Sequence, residues 1–168
     1  MVKTALVLGT GRCVWDDVLK AGHEGRDIIA VNDIGMHWPG NVKVLYSNDA
    51  QMLPKWERAR RPEFAPIQSM ASNHPSPFAK HYEQFVSGNS AVNAALLAQS
   101  LEYDEIIVCG CPCDDSGHYF DAPWIKTGYN NDYQKRQWSI RASELDRCRA
   151  VSGVLVDILG EYNGSGSD

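Results

Sequence analysis

The sequence contains no apolar run approaching the roughly 20 residues that a helix needs to cross a bilayer. Its first eleven residues, MVKTALVLGTG, break at glycine too early for a secretory leader. A cytoplasmic protein with no membrane partner is expected. A basic stripe is also missing: 16 Lys and Arg stand against 21 Asp and Glu, a net charge of −5, which argues against duplex nucleic acid as a partner. The one basic run, Lys55, Arg58, Arg60 and Arg61, reads as a solvated helix end. There is no C-x-x-C, and the five cysteines (Cys13, Cys109, Cys111, Cys113 and Cys148) are an odd number in a chain of 168 residues. A chain of this length buries a core without disulfides, so reduced thiols are expected and a redox centre is not. Nor is there a repeat or an internal boundary. Residues 1–162 read as one domain, and the Gly/Ser-rich 163–168 as a disordered tail.

What is present is an alternation of short apolar runs with helical patterns. Thr4 to Leu8, Asp27 to Val31, Val42 to Tyr46 and Glu105 to Cys109 are nearly continuous apolar runs, as in strands buried on both faces. Helices are expected around Trp15 to Ala21, Ala50 to Arg60 (with Pro54 in the first turn) and Ala91 to Leu101. Apolar residues every three or four positions from Tyr133 to Tyr162 predict one long C-terminal helix, kinked or divided at Gly153. The segment 61–77, rich in Pro, Ser and Asn, reads as a long connection or an active-site lid, with a weak strand at 66–70. The expected fold is α/β: a single Rossmann-like domain whose mostly parallel sheet carries helices on both faces. A homo-oligomer is compatible with it.

In such a sheet the strand C-termini share one edge, where ligands bind. Polar turns gather there. Gly9-Thr10-Gly11-Arg12, Asn32-Asp33, Ser47-Asn48-Asp49 and Gly110-Cys111-Pro112-Cys113-Asp114-Asp115 each follow a strand, and Ser87-Gly88-Asn89-Ser90 opens a helix. Helix N-termini present unpaired N–H groups that suit phosphate, glycines permit close approach of a ligand, and Asn or Asp supplies acceptors for ribose or base. GTG lacks the third glycine of the dinucleotide fingerprint and the Gly-Lys-Ser/Thr of a P-loop. The five turns together predict a nucleotide or phosphate-bearing ligand. His118, beside Asp114, Asp115 and Tyr119, is the candidate acid or base; the competing reading is a loop histidine bonded to Asp115 or Asp121. Cys109, Cys111 and Cys113 alternate instead of showing the two-to-four-residue separation of zinc ligands, and Cys109 falls inside a buried strand. No metal site is expected from them, and Cys109 and Cys148 read as packing residues.

Taken together, LGTGR, VND, SND and SGNSAVNAALLAQSLEYDEIIVCGCP resemble a Rossmann-like superfamily that contains the MptE-like proteins (6-hydroxymethylpterin diphosphokinase-like) and the bacterial sialyltransferases. The likeness covers Ala5 to Asp115, and the small size is similar to that of phage-encoded members. It implies that Gly9, Gly11, Asn32, Ser87 and Gly88 line a nucleotide or nucleotide-sugar pocket. Two departures stand out: Arg12-Cys13 replaces the usual small residue plus Ser, and the usual Gly-x-Asp reads Gly110-Cys111-Pro112, its acids delayed to Asp114 and Asp115. The chain is also shorter than the sialyltransferases, which puts their acceptor lid in doubt.

Three readings follow. The first is a glycosyltransferase-like enzyme using a nucleotide-activated donor. In it the Gly9–Arg12 loop and Ser87–Ser90 hold phosphates, Asn32, Asp33 and Asn48 orient ribose or base, Asp49 holds ribose or a cation, Gly110 lines the pocket, and His118 with Asp115 moves the proton. The second is a non-enzymatic nucleotide binder with the same pocket. The third is diphosphokinase-like phosphoryl transfer, which would require Mg2+.

Overall fold

In a computed structural model, which describes residues 2–122, 124 and 131–164, seven parallel strands form one sheet. These are β1 (Thr4–Leu8), β2 (Asp27–Val31), β3 (Val44–Tyr46), β4 (Met70–Ser72), β5 (Lys80–His81), β6 (Glu105–Cys109) and β7 (Cys148–Ala150), lying in the order β5-β4-β3-β2-β1-β6-β7. The helices are α1 (Val14–Ala21), α2 (Ile34–His37), α3 (Leu53–Ala59), α4 (Ser90–Ser100), α5 (Asn131–Arg141) and α6 (Leu155–Leu159), with a 3-10 turn at Ala50–Met52 before α3. Among the described residues, no helix is long and apolar enough to cross a membrane.

Successive side chains of a strand leave opposite faces, so one apolar run supplies two cores. Ala5 and Val7 of β1, with Ile106 and Val108 of β6, meet α4, α5 and α6; Leu6 and Leu8, with Ile107 and Cys109, meet α1, α2 and α3. This is why β1, β2 and β6 read as unbroken apolar runs. The alanines of α4 (Ala91, Ala94, Ala95 and Ala98), all buried, let that helix lie close to the sheet. Pro54 sits in the first turn of α3, where its missing N–H costs nothing.

Two expectations are corrected. The segment 61–77 is not a free connection: Ile67 bridges Val42, and Met70–Ser72 joins the sheet as β4 beside β3, slightly later than the expected 66–70 strand. The long C-terminal helix is instead α5, β7 and α6. Cys148 and Ala150 are buried on either side of exposed Arg149, a period of two that the three-to-four spacing of the neighbouring apolar residues masks. Gly153, with φ +73, then packs so tightly that a Cβ would lie 2.5 Å from the Pro112 backbone, and the chain turns there before α6. Of the expected tail, residues 165–168 lie outside the described residues.

A buried carboxylate joins the centre of the sheet to its β7 side. Asp17 of α1 is 4% exposed, and its Oδ2 accepts hydrogen bonds from the Gly110 N–H (2.8 Å), the Ser152 hydroxyl (2.9 Å) and the Cys13 thiol (3.3 Å). Asp17→Ala leaves the Gly110 N–H buried without an acceptor and is expected to cost about 1–3 kcal/mol in urea denaturation. Asp17→Asn, which keeps a carbonyl oxygen, is expected to cost less.

Candidate functional site

Strand order reverses between β1 and β6: β2 to β5 run away on one side, β7 lies on the other. Loops leaving the C-terminal ends of these two neighbours diverge, and the crevice between them is the favoured ligand position in open α/β sheets. A cavity of about 580 Å³ occupies it, within the range typical of small-molecule sites. Its walls come from the loops after β1, β2 and β6, from the start of α4 and from α5.

The glycines at the base serve the contact between the two loops. Gly9 donates its N–H to Cys109 O (2.8 Å), Gly11 to Gly110 O (2.7 Å), and Arg12 to Gly117 O (3.0 Å). A Cβ on Gly11 would stand 2.5 Å from Pro112 Cδ, and one on Gly110, whose φ is +69, would stand 2.6 Å from Val14 Cβ. Close approach of chain to chain, as well as to any ligand, therefore selects glycine here. Gly9, Thr10, Gly11 and Gly110 all line the cavity.

The opposite wall is the start of α4. Asn89 caps the helix: its Oδ1 accepts from Ala91 N–H (2.8 Å) and Val92 N–H (3.3 Å). Its Nδ2 donates to Gln134 of α5, and the Ser87 hydroxyl donates to Gln137 Oε1 at 2.8 Å. Tyr133 of α5 lies over Gly88 so closely that a Cβ there would collide with its hydroxyl. Gly88, Asn89 and Ser90 line the cavity, while Ser87 is buried behind them. Asn48 braces this loop from β3: its N–H donates to Ser90 Oγ (3.1 Å), its Nδ2 to Ser87 O (3.0 Å), and its Oδ1 accepts from Asn93 (2.8 Å).

The remaining sequence candidates divide. Asn32 lines the cavity in a left-handed conformation (φ 59), its Oδ1 accepting from Ser47 Oγ at 2.7 Å. His118 also lines it. Arg12, Asp33, Asn48, Asp49 and Asp115 are not among the lining residues. The Arg12 guanidinium donates to Ser116 O (2.6 Å) and Ala122 O (3.0 Å), and so holds the 114–122 loop in place. Asp33 accepts from the Tyr119 hydroxyl at 2.9 Å; burial, then the Asp33 charge, pushes that phenol above its ordinary pKa. Asn48 and Asp49 line a second hollow of about 600 Å³ with His74, at the ends of β3 and β4. Asp115 is exposed on the loop surface. Among the described residues, no group of three His, Cys, Asp or Glu converges in a way that could hold a metal ion. Lys126, a basic residue that could approach the ligand from the last segment of the sequence, lies outside the described residues.

His118 is held by Asp121 in two ways: its backbone N–H donates to Asp121 Oδ2 at 2.8 Å, and ring Nδ1 lies 3.1 Å from the same oxygen. The His118 N–H first, then its ring and Arg12, keeps the Asp121 carboxyl below the ordinary carboxylate range. An ionised carboxylate at Nδ1 favours the tautomer with the proton there and an acceptor lone pair on Nε2. Sequence reasoning had Asp121 only as a competing partner. It missed the lining residues Tyr133, Gln134 and Trp138 because α5 was merged into one packing helix.

No protein-family model matches the chain, and no curated protein matches it. Solved structures do. The monofunctional α-2,3-sialyltransferase Cst-I from Campylobacter jejuni superposes with a TM-score of 0.66 at 14% identity, over 95% of this chain and 80% of that one. The sialyltransferase CST-II in complex with trisaccharide acceptor and CMP gives 0.64 at 11%, over 99% and 88%. CstII from Campylobacter jejuni with the substrate analogue cytidine-5'-monophosphate gives 0.65 at 11%, over 95% and 84%. The chain thus has the fold of these sialyltransferases across nearly its whole length.

Burial disfavours the thiolate at all five cysteines, of which Cys111 and Cys113 line the cleft. Burial pushes Cys113 up to about 11, Cys13 and Cys148 up to about 12, and Cys109 and Cys111 further in the same direction. Only the thiolate reacts. At pH 7.5 native-state alkylation by iodoacetamide, read by mass spectrometry, is expected to run about a hundredfold slower than for free cysteine. Its rate is expected to keep rising with pH beyond 9 instead of levelling off.

Proposed function

We propose that this chain is a glycosyltransferase-like enzyme that transfers a sugar from a nucleotide-activated donor, with a CMP-linked sugar as the donor class. The observation that carries the reading is the cleft at the strand-order reversal. It combines a capped helix start, two interlocked glycine loops and an aspartate-held histidine in one cavity. The likeness to sialyltransferases, one of them solved with CMP and a trisaccharide acceptor, supports it.

In this reading the donor phosphate lies between Gly9–Gly11 and Gly88–Ser90, where the glycines allow close approach and the positive end of α4 favours an anion. Asn32 supplies a polar contact to the nucleoside, and Asn89 fixes the helix start that faces it. An acceptor hydroxyl oxygen attacks the anomeric carbon and the glycosyl–phosphate bond breaks. The nucleoside monophosphate carries away the bonding electron pair, and the hydroxyl proton passes to His118 Nε2. Asp121 stabilises the imidazolium that forms. Arg12, Asp33 and Asn48 act one layer out: Arg12 shapes the histidine loop, Asp33 holds Tyr119, and Asn48 fixes the α4 start. Asp115 has no part in the transfer.

Thermal-shift measurements with CMP, UMP, AMP and ATP, each with and without Mg2+, test the pocket. CMP at a hundred times its Kd is expected to raise Tm by about 5–10 °C without metal. No shift with any nucleotide removes the proposal, and a shift with ATP only in the presence of Mg2+ redirects it to phosphoryl transfer. His118→Ala is expected to lower kcat about 10²–10⁴-fold and leave the Kd for CMP unchanged, with Asp121→Asn between it and the parent. Nucleotide binding with no transfer product by mass spectrometry would make the chain a binder.

A further inference from the structure

The departing nucleotide poses a charge problem that the cavity wall leaves open. A glycosyl phosphodiester carries one negative charge, and the free monophosphate carries close to two at neutral pH. Among the described residues no lysine or arginine lines the cavity, and Asp114, which does, has the wrong sign. His118 gains a positive charge only as it takes the acceptor's proton. Arg12, the cation that follows the first glycine loop, has its guanidinium on the Ser116 and Ala122 carbonyls.

Helix α5 brings a cation to the rim. Its rotation is fixed by contacts with the α4 start: Gln134 accepts from Asn89, Gln137 accepts from Ser87, and Tyr133 covers Gly88. At 3.6 residues per turn, Asn131, Gln134 and Trp138 then share one stripe, and all three line the cavity. Lys135 flanks that stripe, four residues after Asn131 and three before Trp138, on the side away from α4. That side faces the loop after β6. The Lys135 charge acts on the Cys113 thiol there, opposing the upward push of burial, and Cys113 also lines the cavity. Lys135 is half-buried, and among the described residues no carboxylate or carbonyl holds its ammonium.

We propose that Lys135 pairs with the donor phosphate and takes up the negative charge that grows on it as the nucleoside monophosphate leaves. The inference rests on the transfer reading and names the residue that serves its leaving group. The flexible four-carbon stem carries the ammonium from the flank of α5 to the phosphate, which needs a point charge and no fixed fork geometry. When the glycosyl–phosphate bond breaks, its electron pair stays on the phosphate oxygen. The ammonium donates to that oxygen and keeps its own proton. An interaction that strengthens as charge develops lowers the barrier more than it tightens the ground state. Lys135 therefore binds the monophosphate product more strongly than the diester donor, and a neutral nucleoside not at all.

The test is calorimetric titration of the full chain with three probes that differ only in phosphate charge. These are CMP, a dianion at pH 8, its methyl ester, a monoanion, and neutral cytidine. Lys135→Met keeps the unbranched stem and removes the charge. It is expected to weaken CMP about tenfold and the ester about threefold, with cytidine affinity and the Tm of the unliganded protein unchanged. Lys135→Arg is expected to restore most of the CMP affinity, and the salt dependence of CMP binding is expected to flatten in Lys135→Met alone. Equal losses for all three probes, or no loss for CMP, overturn the role of Lys135 and leave the nucleotide reading standing. A parent that binds none of the three overturns the nucleotide reading, and the role of Lys135 with it.

Discussion

The contact between the ends of β1 and β6 governs the rest of the molecule. Parallel neighbours whose loops must diverge leave a gap at their C-terminal ends, and here the two loops close its lower part by hydrogen-bonding to each other through Gly9, Gly11 and Gly110. Gly110 adopts a left-handed turn to do so, and its N–H would be stranded in the interior without Asp17. A carboxylate taken out of water is tolerated only when its oxygens are satisfied, and the three donors on Asp17 Oδ2 meet that demand. One of them, Ser152, follows β7, so the same oxygen ties the edge of the sheet to its centre.

From this knot the cleft is built outward. Val14, which starts α1, packs against Gly110, so the first helix is set by the second loop. The 114–122 loop is then drawn over the mouth by the Arg12 guanidinium on two of its carbonyls and by the Tyr119–Asp33 hydrogen bond. That places His118 in the wall with Asp121 behind its ring. The far wall is independent of this chain of contacts: Asn48, Asn93 and Ser87 pin the start of α4 to β3.

How far all this was legible in the sequence depends on what each residue type can report. Strands β1, β2 and β6 were plain because burial on both faces removes polar residues altogether. The short flanking strands β4, β5 and β7 have only two or three residues each, too few to set up a period against a background of Ser, Pro or helical spacing. The common edge of the polar turns was also legible, because topology alone places it. Which of those polar residues face the cavity was not. Asn32 follows β2 directly and Asn48 comes one residue later after β3; Asn32 lines the cavity while Asn48 binds another loop. Arg12 reads equally well as a phosphate ligand and as a loop clamp, and only carbonyls brought from a hundred residues away decide for the clamp. Asp17 shows the same limit: a carboxylate in the first turn of a helix suits the dipole whether it faces water or not, and only the fold shows that it is enclosed.

The glycine interlock has a consequence for how such a site can change over generations. Gly9, Gly11 and Gly110 line the cavity and also make the sheet's central junction, so a substitution at any of them disturbs the fold at the same time. The upper walls have no such double duty. Helix α5 buries Trp138 and is otherwise largely solvent-facing, and the 114–122 loop hangs from Arg12 and Tyr119. What the cleft accepts can therefore change most readily in these two parts, while the shape of the base is constrained by the sheet that it completes.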